Sequence, residues 1–151
     1  MGMPFDLPNG GLLLTLLMLS RERIQTGSKA AVSIPMLREV IMLAVSKLPF
    51  DEDFYLSTYN DIREAYQSGE VSNLRAHFME EGYFEGRLGA MPDLDEVFYR
   101  ETYPDVAEAI TNNEVESVLE HYIRAGAVEG RFANAEDRKI VTRWMKLGGK
   151  T

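Results

Sequence analysis

The chain has 151 residues, 45% of them apolar, and a net charge of −8 from 24 acidic and 16 basic side chains. That length suits one compact domain, or a small domain with an appended segment. It contains no cysteine, which excludes a disulfide framework, a thiolate metal site and a cysteine nucleophile and fits a cytoplasmic protein.

The charge is unevenly placed. Residues 51–131 hold 19 acidic side chains against six arginines, whereas residues 1–50 are net +2 and residues 132–151 net +3. An acidic body repels phosphate backbones, which argues against nucleic-acid binding. The basic ends suit folding back on that body, contact with a second subunit, or peripheral contact with an anionic inner-membrane surface.

Taken in chain order, the first element is a helix capped by Asn9 and ending near Gly27. Its apolar run, residues 12–19, is far shorter than the ~20 residues of a spanning helix. No Lys or Arg precedes the run and no cleavage site follows it, a poor match to a signal peptide. Being apolar on all sides, it reads as a buried or subunit-contact helix, with insertion into a membrane surface as the alternative. A second helix starts at the Ser33 cap with Pro35 in its first turn, carries Leu37, Val40, Ile41, Ala44, Val45 and Leu48 as its apolar stripe, and stops at Pro49.

From Asp51 the sequence repeats itself. "DEDFYLSTYNDIREAYQSGEVSNLRAHFMEEGYFEGR" aligns without gaps over "DEVFYRETYPDVAEAITNNEVESVLEHYIRAGAVEGR", 44 residues later, with 16 of 37 positions identical. A period of this size suggests a duplicated helical unit. Each copy reads as three short helices. Asp51 or Asp95 caps the first, and "YNDIREA" or "YPDVAEA" opens the second. Asn73 or Ser117 caps the third, Ser117 forming a capping box with Glu120. Gly82 or Gly126 is expected to close that helix in the left-handed conformation.

The last element is a helix capped by Asn134 and closed by Gly148. Ile140, Val141, Trp144, Met145 and Leu147 form its apolar face; Arg138, Lys139, Arg143 and Lys146 form its basic one. No long alternating pattern calls for a strand. The expected fold is therefore all-α: an N-terminal helical segment (1–49), two tandem repeats (50–132, as 50–91 and 94–132) and a C-terminal amphipathic helix (133–151). That last helix is expected to pack its apolar face on the repeats; the alternatives are that it lies on anionic lipid through Trp144 or fills a partner's groove.

Chemistry has little foothold. His77 and His121 occupy matching positions, but Glu81, four residues after His77, is replaced by Ala125 after His121, so a repeated metal site would lack its second ligand. Packing roles with one ring nitrogen hydrogen-bonded are expected for both. Arg87 and Arg131 end the two Glu-Gly-Arg triplets and are expected to pair with Asp61 and Asp105. The "DED" and "DLD" triplets superficially match the two-carboxylate metal motif of sugar transferases, yet they start the repeats as helix caps with no βαβ framework around them. No nucleophile elbow or phosphate-cradling loop occurs. No cofactor, metal or catalytic residue is expected.

The second copy, with Phe98-Tyr99, Tyr103-Pro104-Asp105-Val106-Ala107, His121-Tyr122, Gly126 and Glu129-Gly130-Arg131, resembles bacterial repeats of the form FYLxxYPDVA…HYxxxGxxEGR. Those repeats flank glycosyltransferase domains and occur in surface-polysaccharide proteins. The first copy departs from the pattern at Asn60, Arg63 and Phe78. The resemblance implies a non-catalytic adaptor or scaffold for a protein partner in exopolysaccharide or glycan synthesis. The apolar, basic terminal helices are separately expected to mediate homo-oligomer formation or docking. The competing expectation is a carbohydrate-binding module. In it Tyr55, Tyr83 and Tyr99 stack on sugars, Arg87 and Arg131 hold acidic groups, and Trp144 adds a further binding aromatic.

Overall fold

A computed structural model describes residues 10–27 and 29–149, and among these every regular element is helical. The chain divides into two compact units, residues 1–48 and 49–151.

The first unit holds α1 (Gly10–Leu16), α2 (Arg21–Thr26) and α3 (Ile34–Val45). The single helix expected up to Gly27 is thus two; its Asn9 cap lies outside the described residues. The break has a local cause. Met18 turns left-handed (φ 53°), and the N–H groups of Leu19 and Met18 close on the carbonyls of Leu14 and Thr15 at 2.9 and 3.0 Å. This is a Schellman ending with methionine where glycine is usual. Ser20 then captures the Arg23 N–H at 3.1 Å and starts α2, so a side-chain cap competes with helix continuation. The expected burial of this run is not seen: Leu12 and Leu16 are each 57% exposed and Met18 is 88% exposed. In α3, Ser33 accepts from Met36 N and Pro35 sits in the first turn as expected. The buried side is Met42 and Val45, while Leu37, Val40, Ala44 and Leu48 are exposed, so the expected stripe is rotated.

In the second unit, α4 (Glu52–Thr58), α5 (Asn60–Ser68) and α6 (Leu74–His77) are followed by α7 (Glu96–Thr102), α8 (Pro104–Thr111) and α9 (Val118–His121). Both α6 and α9 run on into one π-helical turn, Phe78–Gly82 and Tyr122–Gly126. Asp51, Asn73, Asp95 and Ser117 each accept a first-turn N–H, as their positions predict. The capping box is shifted by one: Glu120 reaches back to the N–H of Glu116 rather than to that of Ser117.

The core explains why the chain folds this way. Tyr55, Ile62, Leu74 and Phe78 are buried in residues 51–89; Tyr99, Val106, Val118 and Tyr122 are buried in residues 95–133. Leu88, Leu94, Tyr103, Ile110 and Ala127 pack around the second set. Each segment is tied end to end, Asp51 N–H to Gly89 O at 2.8 Å and Asp95 N–H to Ala133 O at 3.1 Å.

Two glycine expectations are corrected here. Gly82 and Gly126 do not close their helices; Gly86 (φ 79°) and Gly130 (φ 72°) do, four residues later. Arg87 N–H and Arg131 N–H then bond the carbonyls of Gly82 and Gly126 at 2.9 Å each. Gly82 and Gly126 are needed for space instead, because a Cβ at either would collide with the hydroxyl of Tyr55 or Tyr99.

Helix α10 (Ala135–Leu147) starts at Asn134, whose side chain accepts from Glu136 N and Asp137 N, and ends at Gly148. It is fastened at its N-terminal end: Asn134 Nδ2 donates to Asp93 O at 2.7 Å, Asp137 accepts from Ala133 N, and Arg138 lies 4.9 Å over the Phe98 ring. Beyond that turn the expected packing on the body does not occur, since no residue of α10 is buried.

Candidate functional site

Helices α4 and α6 bring Tyr55 and His77 together. The Tyr55 hydroxyl is 3.1 Å from His77 Nδ1, and the same distance separates the Tyr99 hydroxyl from His121 Nδ1. Both tyrosines are 0% exposed. They are therefore not available to stack on a sugar, which corrects that expectation. A bulky ring with one polar tip is well placed in a core only when the tip finds a partner, and the histidine supplies it. Burial pushes the Tyr99 phenol up to about 12 and raises that of Tyr55 as well.

Arg87 and Arg131 are held in matching frames. Arg87 grips Asp61 through both terminal nitrogens, at 2.8 and 3.0 Å, and its Nε reaches Glu85 at 2.6 Å. Arg131 binds Asp105 at 2.8 Å and Glu129 at 2.6 Å. The guanidinium groups lie 5.0 and 4.9 Å over the rings of Tyr59 and Tyr103. Those two hydroxyls in turn accept from Leu88 N and Phe132 N, both at 2.7 Å. The hydrogen bonds from Arg87 hold the Asp61 carboxyl below its ordinary range. At Asp105, partial burial pushes the other way, but the bond and charge of Arg131 outweigh it and the carboxyl is again lowered. Both arginines thus meet carboxylates of their own chain where the carbohydrate reading has them meeting a ligand's.

Tyr83 and Trp144 differ from these: they are 41% and 69% exposed. Tyr83 sits edge-on to Phe78 and Phe84, and Trp144 stands on the uncovered face of α10.

Among the grooves of the second unit, one of about 620 Å³ lies along Arg138, Thr142, Arg143 and Leu147 of α10. Another, about 610 Å³, runs along α5 and α6, with Ile62, Ala65, Val71 and Ala76 among its apolar lining and Asp61, Glu70, Glu80, Glu81 and Glu85 as its carboxylates. His77 and Arg87 are its basic members, and His77 Nε2 is 3.8 Å from Glu81. A smaller groove of about 390 Å³ lies where Tyr59, Gly86 and Arg87 meet Ile123, Arg124 and Val128. The acidic groove along α5 and α6 was not foreseen from the sequence. Its signal was present, because Glu80 and Glu81 correspond, 44 residues on, to Arg124 and Ala125, so only the first segment carries an acidic pair there.

No family model, curated protein or solved structure matches the chain. Among the described residues, no helix is long and apolar enough to cross a membrane.

Proposed function

We propose that residues 50–132 are two tandem copies of one helical unit and that the chain is a non-catalytic scaffold, binding a basic segment of a protein partner along the acidic groove of the first copy. The observation that carries this reading is the contrast between the copies. The Tyr–His pair, the Arg–Asp pair and the closing glycines occur in both segments and serve the fold, whereas Glu80 and Glu81 occur in one and line an open groove. Carboxylates on an apolar floor favour a segment that brings Lys or Arg with aliphatic stems, since charge supplies selection and association rate while the stems cover the floor. The resemblance to glycosyltransferase-flanking repeats supports taking a bacterial glycan-synthesis enzyme as that partner.

The test exchanges Glu80→Arg and Glu81→Ala, residues that the second segment already carries at the matching positions. Binding of a lysine- and arginine-rich peptide is followed by calorimetry at low and high salt, and recovery of a glycosyltransferase is scored in pull-downs. Wild type is expected to bind with salt-sensitive affinity. A folded double variant that binds peptide and enzyme as wild type does would end the proposal.

A further inference from the structure

A neutral imidazole carries one proton, so one ring nitrogen donates and the other accepts. In His77, Nδ1 lies 3.1 Å from the Tyr55 hydroxyl, and among the described residues that ring is the hydroxyl's one hydrogen-bond partner. Tyr55 is fully buried, and burial raises its phenol, which therefore keeps its proton. Were Nδ1 to carry the ring proton, the phenol proton would be left in the core without an acceptor, the costly case for a buried polar group. The hydroxyl thus donates to Nδ1, and the ring proton is held on Nε2. Nε2 stands 3.8 Å from Glu81, too far for a hydrogen bond. His77 and Glu81 both line the acidic groove, and no buried side-chain nitrogen or oxygen among the described residues lacks a partner, so Nε2 is open to the groove's solvent.

We infer that the Nε2–H of His77 is the directional donor of this groove and takes a main-chain carbonyl of the bound segment. The inference rests on the reading of the groove as a site for a basic segment and says what fixes that segment in place. The groove holds five carboxylates and one arginine, a field that repels an anionic acceptor and leaves a neutral oxygen as the donor's partner. A peptide offers such an oxygen at every residue, beside the Lys or Arg side chains that the carboxylates attract. Charge attraction sets no register, whereas one N–H held at a fixed point does.

Tyr55 is a positioning residue in this arrangement: it touches no ligand and acts by deciding which nitrogen of His77 donates. His121 makes the same 3.1 Å bond to Tyr99 but has Ala125 in place of Glu81, so its ring is an internal control for the effect of the hydroxyl alone.

In the test, nitrogen NMR of the full chain reads which ring nitrogen carries the proton. Calorimetry follows a lysine- and arginine-rich peptide beside spermine, which brings positive charge and no carbonyl. Both rings are expected in the Nε2–H form, and Tyr55→Phe is expected to move part of the His77 proton to Nδ1 while His121 stays unchanged. Asparagine places an oxygen where Nδ1 stands and nothing at Nε2; glutamine places an N–H near Nε2 and nothing at Nδ1. His77→Asn is therefore expected to keep the wild-type Tm, weaken the peptide about fivefold and leave spermine unchanged, whereas His77→Gln keeps peptide affinity and lowers Tm by ~4 °C. The inference is overturned if His77 carries its proton on Nδ1, if His77→Asn binds the peptide as wild type does, or if that variant weakens spermine as much as peptide. If wild type takes up neither ligand, or Glu80→Arg/Glu81→Ala binds both as wild type does, the groove reading fails and this inference with it. If that charge variant weakens both ligands while His77→Asn weakens neither, only the role of His77 falls.

Discussion

Replacing Gly82 with alanine tests the packing argument at its tightest point. Gly82 has ordinary right-handed backbone geometry in the π-helical turn after α6, so alanine on its own would gain ~1 kcal/mol of helix propensity there. Its Cβ, however, would fall inside contact distance of the Tyr55 hydroxyl, while the next atoms, Tyr55 Cζ and Arg87 Cδ, lie at an ordinary 3.5 and 3.6 Å. The tyrosine is fully buried and must shift, which costs ~1–3 kcal/mol of overpacking. The shift also breaks the hydroxyl's bond to His77, another ~1 kcal/mol. The net expectation is ~2 kcal/mol of destabilisation, close to 10 °C in Tm at ~4–8 °C per kcal/mol.

Tyr55→Phe alone removes the hydroxyl and should cost ~1 kcal/mol. In that background Gly82→Ala meets no clash and should cost nothing or stabilise, so the double variant is expected near the Tyr55→Phe value or above it. Urea unfolding of the four proteins, followed by far-ultraviolet circular dichroism, measures the coupling. Equal costs for Gly82→Ala in both backgrounds, or no cost in wild type, would refute the claim that this glycine exists to admit a tyrosine hydroxyl.

Two further outcomes are expected. Asp61 and Asp105 titrate below their ordinary value in the folded chain, so the stability they contribute is present above the unfolded pKa of ~3.9 and is lost as pH falls through the folded value. The Asp61→Asn/Asp105→Asn double variant should therefore lose less stability than wild type on acidification; at neutral pH each substitution should cost no more than ~1 kcal/mol, because the carboxylates are 62% exposed. Identical acid profiles would count against this account. At the helix ends, Gly130→Ala should cost ~1–2 kcal/mol from its left-handed backbone alone, since nothing lies within 4 Å of the new methyl. Gly86→Ala should cost more, because its methyl would also press on Val128 at 3.2 Å; equal Tm losses would show that the two segments are not tightly packed there.

What could be read from residue order is what short-range chemistry controls. The caps Ser33, Asp51, Asn73, Asp95, Ser117 and Asn134 each satisfy N–H groups two or three residues away, so their positions alone predicted the helix starts. The Arg87–Asp61 and Arg131–Asp105 pairs span 26 residues but were legible because the same spacing is written twice. The acidic character of residues 51–131 was likewise visible, although the groove that gathers five of those carboxylates was not.

Tertiary structure decided the rest. Glycine can admit a left-handed turn or a close neighbour, and only the approach of Tyr55 and Tyr99 shows that Gly82 and Gly126 do the second while Gly86 and Gly130 do the first. A tyrosine can bind a ligand or fill a core, and Tyr55 and Tyr99 are committed to the core by histidines 22 residues away. An apolar helix face must be covered by something, but its own sequence does not say by what. The body leaves Trp144 and its neighbours open, while its own core residues within 51–89 and 95–133 are buried without them. Apart from α2, whose start at Ser20 fell inside a longer expected helix, sequence determined where the described helices start and which faces are apolar, because both follow from contacts within a turn or two. Which apolar faces are buried depends on contacts between distant segments, and that was settled only when the chain closed on itself.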